Sequence, residues 1–104
     1  MLELRPNCEL CDVDLPAQSP EARICSYECT YCADCAENVL KNVCPTCGGN
    51  LCPRPVRPNE AYRDGLSLGL KNHSAITTRR HTRWSPEEIE SMVLRLKDIP
   101  PAQR

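Results

Sequence analysis

Eight cysteines fall in four close pairs: Cys8-x2-Cys11, Cys25-x3-Cys29, Cys32-x2-Cys35 and Cys44-x2-Cys47. Two cysteines two or three residues apart turn both sulfurs onto one metal ion without straining the backbone. Four pairs supply eight thiolates, enough for two closed tetrahedral sites of four thiolates each, with zinc as the default ion and iron as an alternative. Closed four-thiolate sites leave no position for water, which is the structural type rather than the catalytic one. No phosphate-binding loop, catalytic triad or HExxH occurs elsewhere in the chain.

The competing chemistry is disulfide bonding. Nine cysteines in 104 residues approach the density of secreted disulfide scaffolds. Such scaffolds need an export route, and the N-terminus Met-Leu-Glu-Leu-Arg-Pro-Asn-Cys has no apolar h-region or cleavage site. No stretch is apolar for long enough to span a bilayer. A cytoplasmic location with reduced, metal-bound cysteines is therefore expected. The odd residue, Cys52, reads as a free thiol, with an intermolecular disulfide or exchange with Cys47 as sharper readings. His73 and His81 read as solvated.

The elements that must position the ligands are small. Residues 1–52 form the expected zinc module, residues 53–84 a Pro/Arg-rich flexible linker, and residues 85–99 a C-terminal amphipathic helix. Within the module, Arg23 to Tyr31 suits a short β-hairpin around Cys25 and Cys29. Ala36 to Val43 suits a short helix with Val39, Leu40 and Val43 on one face. Pro45 presets the turn of the last pair, and Gly48 permits the positive φ that aims backbone N–H groups at sulfur. The chain has four aromatics and no Phe. A core this poor rarely supplies more than about 3–5 kcal/mol, whereas structural zinc contributes roughly 10–16 kcal/mol per site in peptide systems.

Charge is divided between the halves. Residues 1–52 hold eight acids against three bases, and residues 53–104 ten bases against six acids. Thiolate sites add further negative charge, so the module is a poor ligand for a phosphate backbone. The tail carries Arg79-Arg80-His81-Thr82-Arg83-Trp84, a patch that can grip nucleic acid through Arg79, Arg80, Arg83 and Trp84, or salt-bridge the acidic head. Ser85-Pro86-Glu87-Glu88 is a helix start with a capping box. Ile89, Met92, Val93 and Leu96 then make one apolar stripe. A helix of this length is marginal alone, so the stripe is expected to dock on the module, a second copy or a protein partner.

The full spacing is C-x2-C-x13-C-x3-C-x2-C-x2-C-x8-C-x2-C. It resembles the RING finger and its treble-clef relatives. The segments Leu-Glu-Leu-Arg-Pro-Asn-Cys and Glu-Ala-Arg-Ile-Cys-Ser-Tyr-Glu-Cys-Thr-Tyr-Cys-Ala-Asp-Cys are similar to a small bacterial cysteine-rich family known only as a domain of unknown function. The resemblance covers about residues 1–52. It implies a small α+β zinc module followed by a linker and a helix. It also implies crossed ligation of two structural zinc ions: Cys8, Cys11, Cys32 and Cys35 at one, Cys25, Cys29, Cys44 and Cys47 at the other. Spacing alone equally allows the sequential grouping. RING ubiquitin ligases carry an apolar residue in the first pair, here Leu10, and a Pro in the last, here Pro45. They usually have His where this chain has Cys29, a Trp between the sixth and seventh ligands, and a cation where Gly48 stands. The expected function is protein–protein interaction as an adaptor or regulator. The alternatives are a RING-type ubiquitin ligase, a nucleic-acid-binding zinc protein, or a thiol redox sensor that ejects zinc on oxidation.

Overall fold

The computed structural model describes residues 1–104. Its only sheet is three short antiparallel strands in the order β2-β1-β3: β1 (Ala22–Ile24), β2 (Thr30–Cys32) and β3 (Cys52–Pro53). The hairpin lies where the β-formers place it, with Arg23 opposite Tyr31 and Ile24 opposite Thr30. On the other edge Ile24 pairs with Cys52. Tyr31 is buried, whereas Tyr27 at the hairpin turn stands in solvent.

The expected helix over 36–43 is cut short. Cys35–Val39 winds as a single π-type turn, closed by the Leu40 N–H donating to the Cys35 carbonyl at 2.8 Å. Lys41 and Asn42 then take left-handed φ values of 49° and 65° and end the winding. The Asn42 side chain accepts from the Leu51 N–H at 2.8 Å, tying this reversal to the strand that follows. Leu40 and Val43 are buried, but Val39 is half exposed and does not share their inward face.

The C-terminal helix α1 (Pro86–Leu96) starts on the expected capping box: Glu88 N–H donates to Ser85 Oγ at 3.1 Å, and Ser85 N–H to the Glu88 carboxylate at 3.2 Å. Its stripe is satisfied within the chain. Ile89 and Val93 are buried in the same cluster as the cysteines, with Met92, Leu96 and Trp84 packed against it. Of the three docking surfaces that the sequence leaves open for the stripe, the module is the one it covers within the chain: a marginal helix is stabilised by the nearest apolar surface. No helix is long and apolar enough to cross a membrane.

Residues 54–84 contain no regular helix or strand, yet backbone groups of this segment are paired with the module. Ile76 N–H donates to Leu4 O at 3.1 Å, and Thr82 N–H to Glu9 O at 2.7 Å. Arginine guanidinium groups do the rest. Buried Arg54 donates to the carbonyls of Arg5, Leu15 and Pro16 at 2.8–3.2 Å. Arg57 donates to Leu2 O and His73 O at 2.7 and 2.8 Å.

Because Ile89 fills the core and Leu94 on the opposite wall of α1 is 61% exposed, their truncations separate. Ile89→Ala is expected to cost about 2–5 kcal/mol, and Leu94→Ala less than about 0.5 kcal/mol, by chemical unfolding of the metal-loaded protein. Equal effects would mean that α1 is not docked.

Candidate metal centre

The first cluster is built by two knuckles and a strand end. The Sγ atoms of Cys8, Cys11, Cys32 and Cys35 lie within 4.8 Å of one another, three of the four residues being buried. Cys11 Sγ and Cys32 Sγ are 3.7 Å apart. A tetrahedron with Zn–S bonds near 2.3 Å has edges of about 3.8 Å, so this donor set fits a zinc ion. Backbone amides point at the sulfurs as in a metal knuckle: Cys11 N–H reaches Cys8 Sγ at 3.5 Å, and Cys35 N–H reaches Cys32 Sγ at 3.4 Å. Such bonds offset part of the negative charge of a four-thiolate set. Asp12, directly after the first pair, holds a left-handed φ of 67°, the position Gly48 takes after the last pair.

The second cluster joins the hairpin turn to the last knuckle. Cys25, Cys44 and Cys47 have their sulfurs within 4.8 Å of one another. Cys29 falls outside that set; it lies across the hairpin turn from Cys25, whose N–H donates to Cys29 O at 3.2 Å. Tyr27 N–H donates to Cys25 Sγ at 3.3 Å and Gly49 N–H to Cys47 Sγ at 3.4 Å. Gly48 has φ +77°, and a Cβ there would lie 2.8 Å from Leu96 Cδ1. The knuckle glycine thus serves two ends: it turns the chain behind Cys47 and lets α1 press against the turn.

The clusters interleave along the chain. Cys8 and Cys11 meet Cys32 and Cys35 across the intervening hairpin, and Cys25 meets Cys44 and Cys47. The sequential grouping, with Cys8 and Cys11 beside Cys25 and Cys29, is not the one the fold assembles. Electrostatics show why such clusters call for a cation. Burial, followed by the neighbouring thiols, pushes Cys35 far above the ordinary thiol range. Hydrogen bonds to the Cys25 and Cys29 thiols, followed by burial, do the same to Cys44. Cys25 is pulled far down by those same contacts with Cys29 and Cys44. A divalent ion held among the packed thiols would let them ionise together.

The other flagged residues stand apart. Cys52 is exposed on β3. His73 and His81 join neither cluster: their rings contact the carbonyls of Ser67 and Thr82 at 2.7 Å. Within the basic patch, Arg79 pairs with Asp12 and Asp14 at 2.9 and 2.7 Å, Arg80 lies 3.7 Å from Glu3, and Arg83 stacks over the Trp84 ring at 4.6 Å. Trp84 Nε1–H donates to Thr46 Oγ1, inside the last knuckle, at 3.0 Å.

Two supporting residues escaped the sequence reading. Fully buried Asn7 donates to Cys8 O, Asp12 Oδ1 and Arg80 O at 2.8–3.1 Å and accepts from Arg80 N–H at 3.2 Å, clamping the basic segment onto the first knuckle. Buried Glu9 accepts from Arg5 at 3.0 Å and from Thr30 N–H in a 2.6 Å bond, joining the first knuckle to β2. The only sequence signal for either is adjacency to Cys8.

A family model described as "Protein of unknown function (DUF1272)" matches residues 1–57. The chain belongs to this family. An uncharacterized protein of Rhizobium meliloti (strain 1021) is 64% identical over 79 residues, covering 76% of this chain and 84% of the relative. That length exceeds the 57 residues of the family model, so similarity runs beyond the cysteine-rich part. No solved structure matches the chain.

Asn7 and Arg79 attach the same segment by different physics. Asn7→Ala leaves buried backbone groups without partners and is expected to cost about 1–3 kcal/mol. Arg79→Ala removes an exposed ion pair and is expected to cost less than about 1 kcal/mol. Thermal unfolding of both variants at low and high salt checks the order, with only the Arg79 difference shrinking in salt.

Proposed function

We propose that this chain is a zinc-stabilised protein–protein interaction module, an adaptor or regulator whose two zinc ions are structural. One ion is held by Cys8, Cys11, Cys32 and Cys35, the other by Cys25, Cys29, Cys44 and Cys47. The carrying observation is the pair of interleaved thiol clusters with sulfurs within 4.8 Å. Four thiolates around one ion leave no open position for water or substrate, so the metal's contribution is to the fold. Cys29 completes the second set because it sits at the same hairpin turn as Cys25, whose N–H donates to Cys29 O at 3.2 Å, and a bound ion would draw its thiol in.

Surface chemistry supports interaction over catalysis. A groove of about 700 Å³ runs beside α1, with Leu10, Val39, Trp84 and Leu94 among its walls. The ligase alternative needs Leu10 and Pro45 free for a conjugating enzyme. Pro45 is buried, and Trp84 lies against the last knuckle through Thr46. That face is occupied by the chain's own C-terminal segment, which favours the adaptor reading. The nucleic-acid alternative is weakened in the same way, because Arg79 is spent on Asp12 and Asp14.

Native mass spectrometry of protein purified without added metal is expected to find two zinc ions per chain. Cys29→Ser and Cys44→Ser are each expected to lose one. Zinc holds its thiolate ligands ionised, with pKa values below those of the unfolded chain. That stabilisation is full above the unfolded thiol range and is lost as pH falls and protons displace the metal. Metal-free protein with intramolecular disulfides would overturn the proposal.

A further inference from the structure

We propose that the groove beside α1 takes the loop over residues 60–68 of a second copy of this chain, so that the protein self-associates through a tip-in-groove contact. This deepens the interaction reading above by naming the partner.

The loop is a built feature. Its neck is closed by Leu70 N–H donating to Pro58 O at 2.8 Å and by a 2.7 Å ion pair between Lys71 and Glu60. Gly69 sits at φ +90° so close to the other side of the neck that a Cβ would lie 2.7 Å from the Glu60 carbonyl carbon. Arg57 fastens the neck to the module through Leu2 O and His73 O. A compact surface loop with pinned ends holds its tip in one shape at low entropic cost. Yet every residue from Glu60 to Leu68 is exposed. The tip presents Tyr62, Leu66 and Leu68 at 79%, 54% and 49% exposure. Apolar side chains on a pinned loop give nothing to their own fold there.

The groove is its complement. Val39 and Leu94, on opposing walls, are 50% and 61% exposed. Five of the nine large apolar side chains left in solvent thus lie on two surfaces, one projecting and one concave. Charge agrees. Lys41, Lys97 and Glu90 border the groove, and Arg63 and Asp64 form the turn of the loop. None of these five takes part in an ion pair within the chain. Because the tip is solvent-exposed in its own chain, it is not seated in its own groove. One tip in one groove is a small contact, so the association is expected to be concentration-dependent rather than permanent.

Sedimentation velocity on zinc-loaded, full-length protein, from micromolar to near-millimolar concentration, tests this. Expected is a mass rising to two chains or more, with Leu94→Asp in the groove and Leu66→Asp in the tip each leaving a monomer. An equal mixture of the two variants regains association, since each supplies the intact half of one junction. Zinc content and circular dichroism on the same samples report folding. If the tip variant unfolds, Asp64→Lys replaces it, and if the groove variant unfolds, Lys97→Glu replaces it; each is expected to weaken association several-fold. A wild-type protein monomeric throughout, association that survives the substitutions, or a mixture that stays monomeric would each overturn the proposal. A two-zinc monomer defeats the docking and leaves the zinc module standing; a metal-free dimer does the reverse.

Discussion

Everything in this fold depends on getting thiol sulfurs from distant parts of the chain into two crowded clusters. The cluster of buried core residues numbers 14, and five of these are cysteines. Apolar burial alone is thin: Leu15, Tyr31, Leu40, Val43 and Leu51 are its larger members from the module. Packed as anions the thiols would repel one another, and a cation held among them would remove that cost. Interleaving strengthens that dependence. The first cluster closes a loop that contains Cys25 of the second, and the second closes a loop that contains Cys32 and Cys35 of the first, so each holds one end of the module to its middle.

A second device follows from the scarcity of regular structure. A chain with few helices and strands leaves many carbonyl oxygens without ladder partners. Arginine answers this, since its planar fork reaches several acceptors at once. Arg54 binds three carbonyls, Arg57 two, and Arg104 ties Asn42 O and Gly48 O to Ile99 O. Arg54 has no carboxylate partner, and burial lowers its pKa without an opposing charge. Three of the ten bases after residue 52 are thus committed to backbone carbonyls, and Lys71, Arg79 and Arg80 pair with carboxylates.

The parts legible in the sequence are those governed by local spacing. The cysteine pairs, the hairpin over Arg23–Tyr31 and the Ser85 capping box each need only neighbours within a few residues. Spacing alone leaves the grouping of the pairs open, because it depends on which distant pairs the hairpin brings together. The helix expected over 36–43 stops at Val39 because apolar periodicity carries no sign that Lys41 and Asn42 reverse the chain and bring Cys44 to the second cluster. Residues 53–84 have the composition of a linker, and nothing in that composition announces that Arg54 is buried or that Asn7 will clamp Arg80 O. Those are contacts between residues dozens of positions apart, invisible to any local pattern.

The central claim is that metal, not apolar burial, holds this fold. Its most direct test is an amide NMR spectrum recorded before and after chelation under reducing conditions. The account predicts dispersed resonances that collapse to an unfolded pattern on removal of metal and return when zinc is restored. Dispersion that persists in the metal-free, fully reduced protein would contradict it.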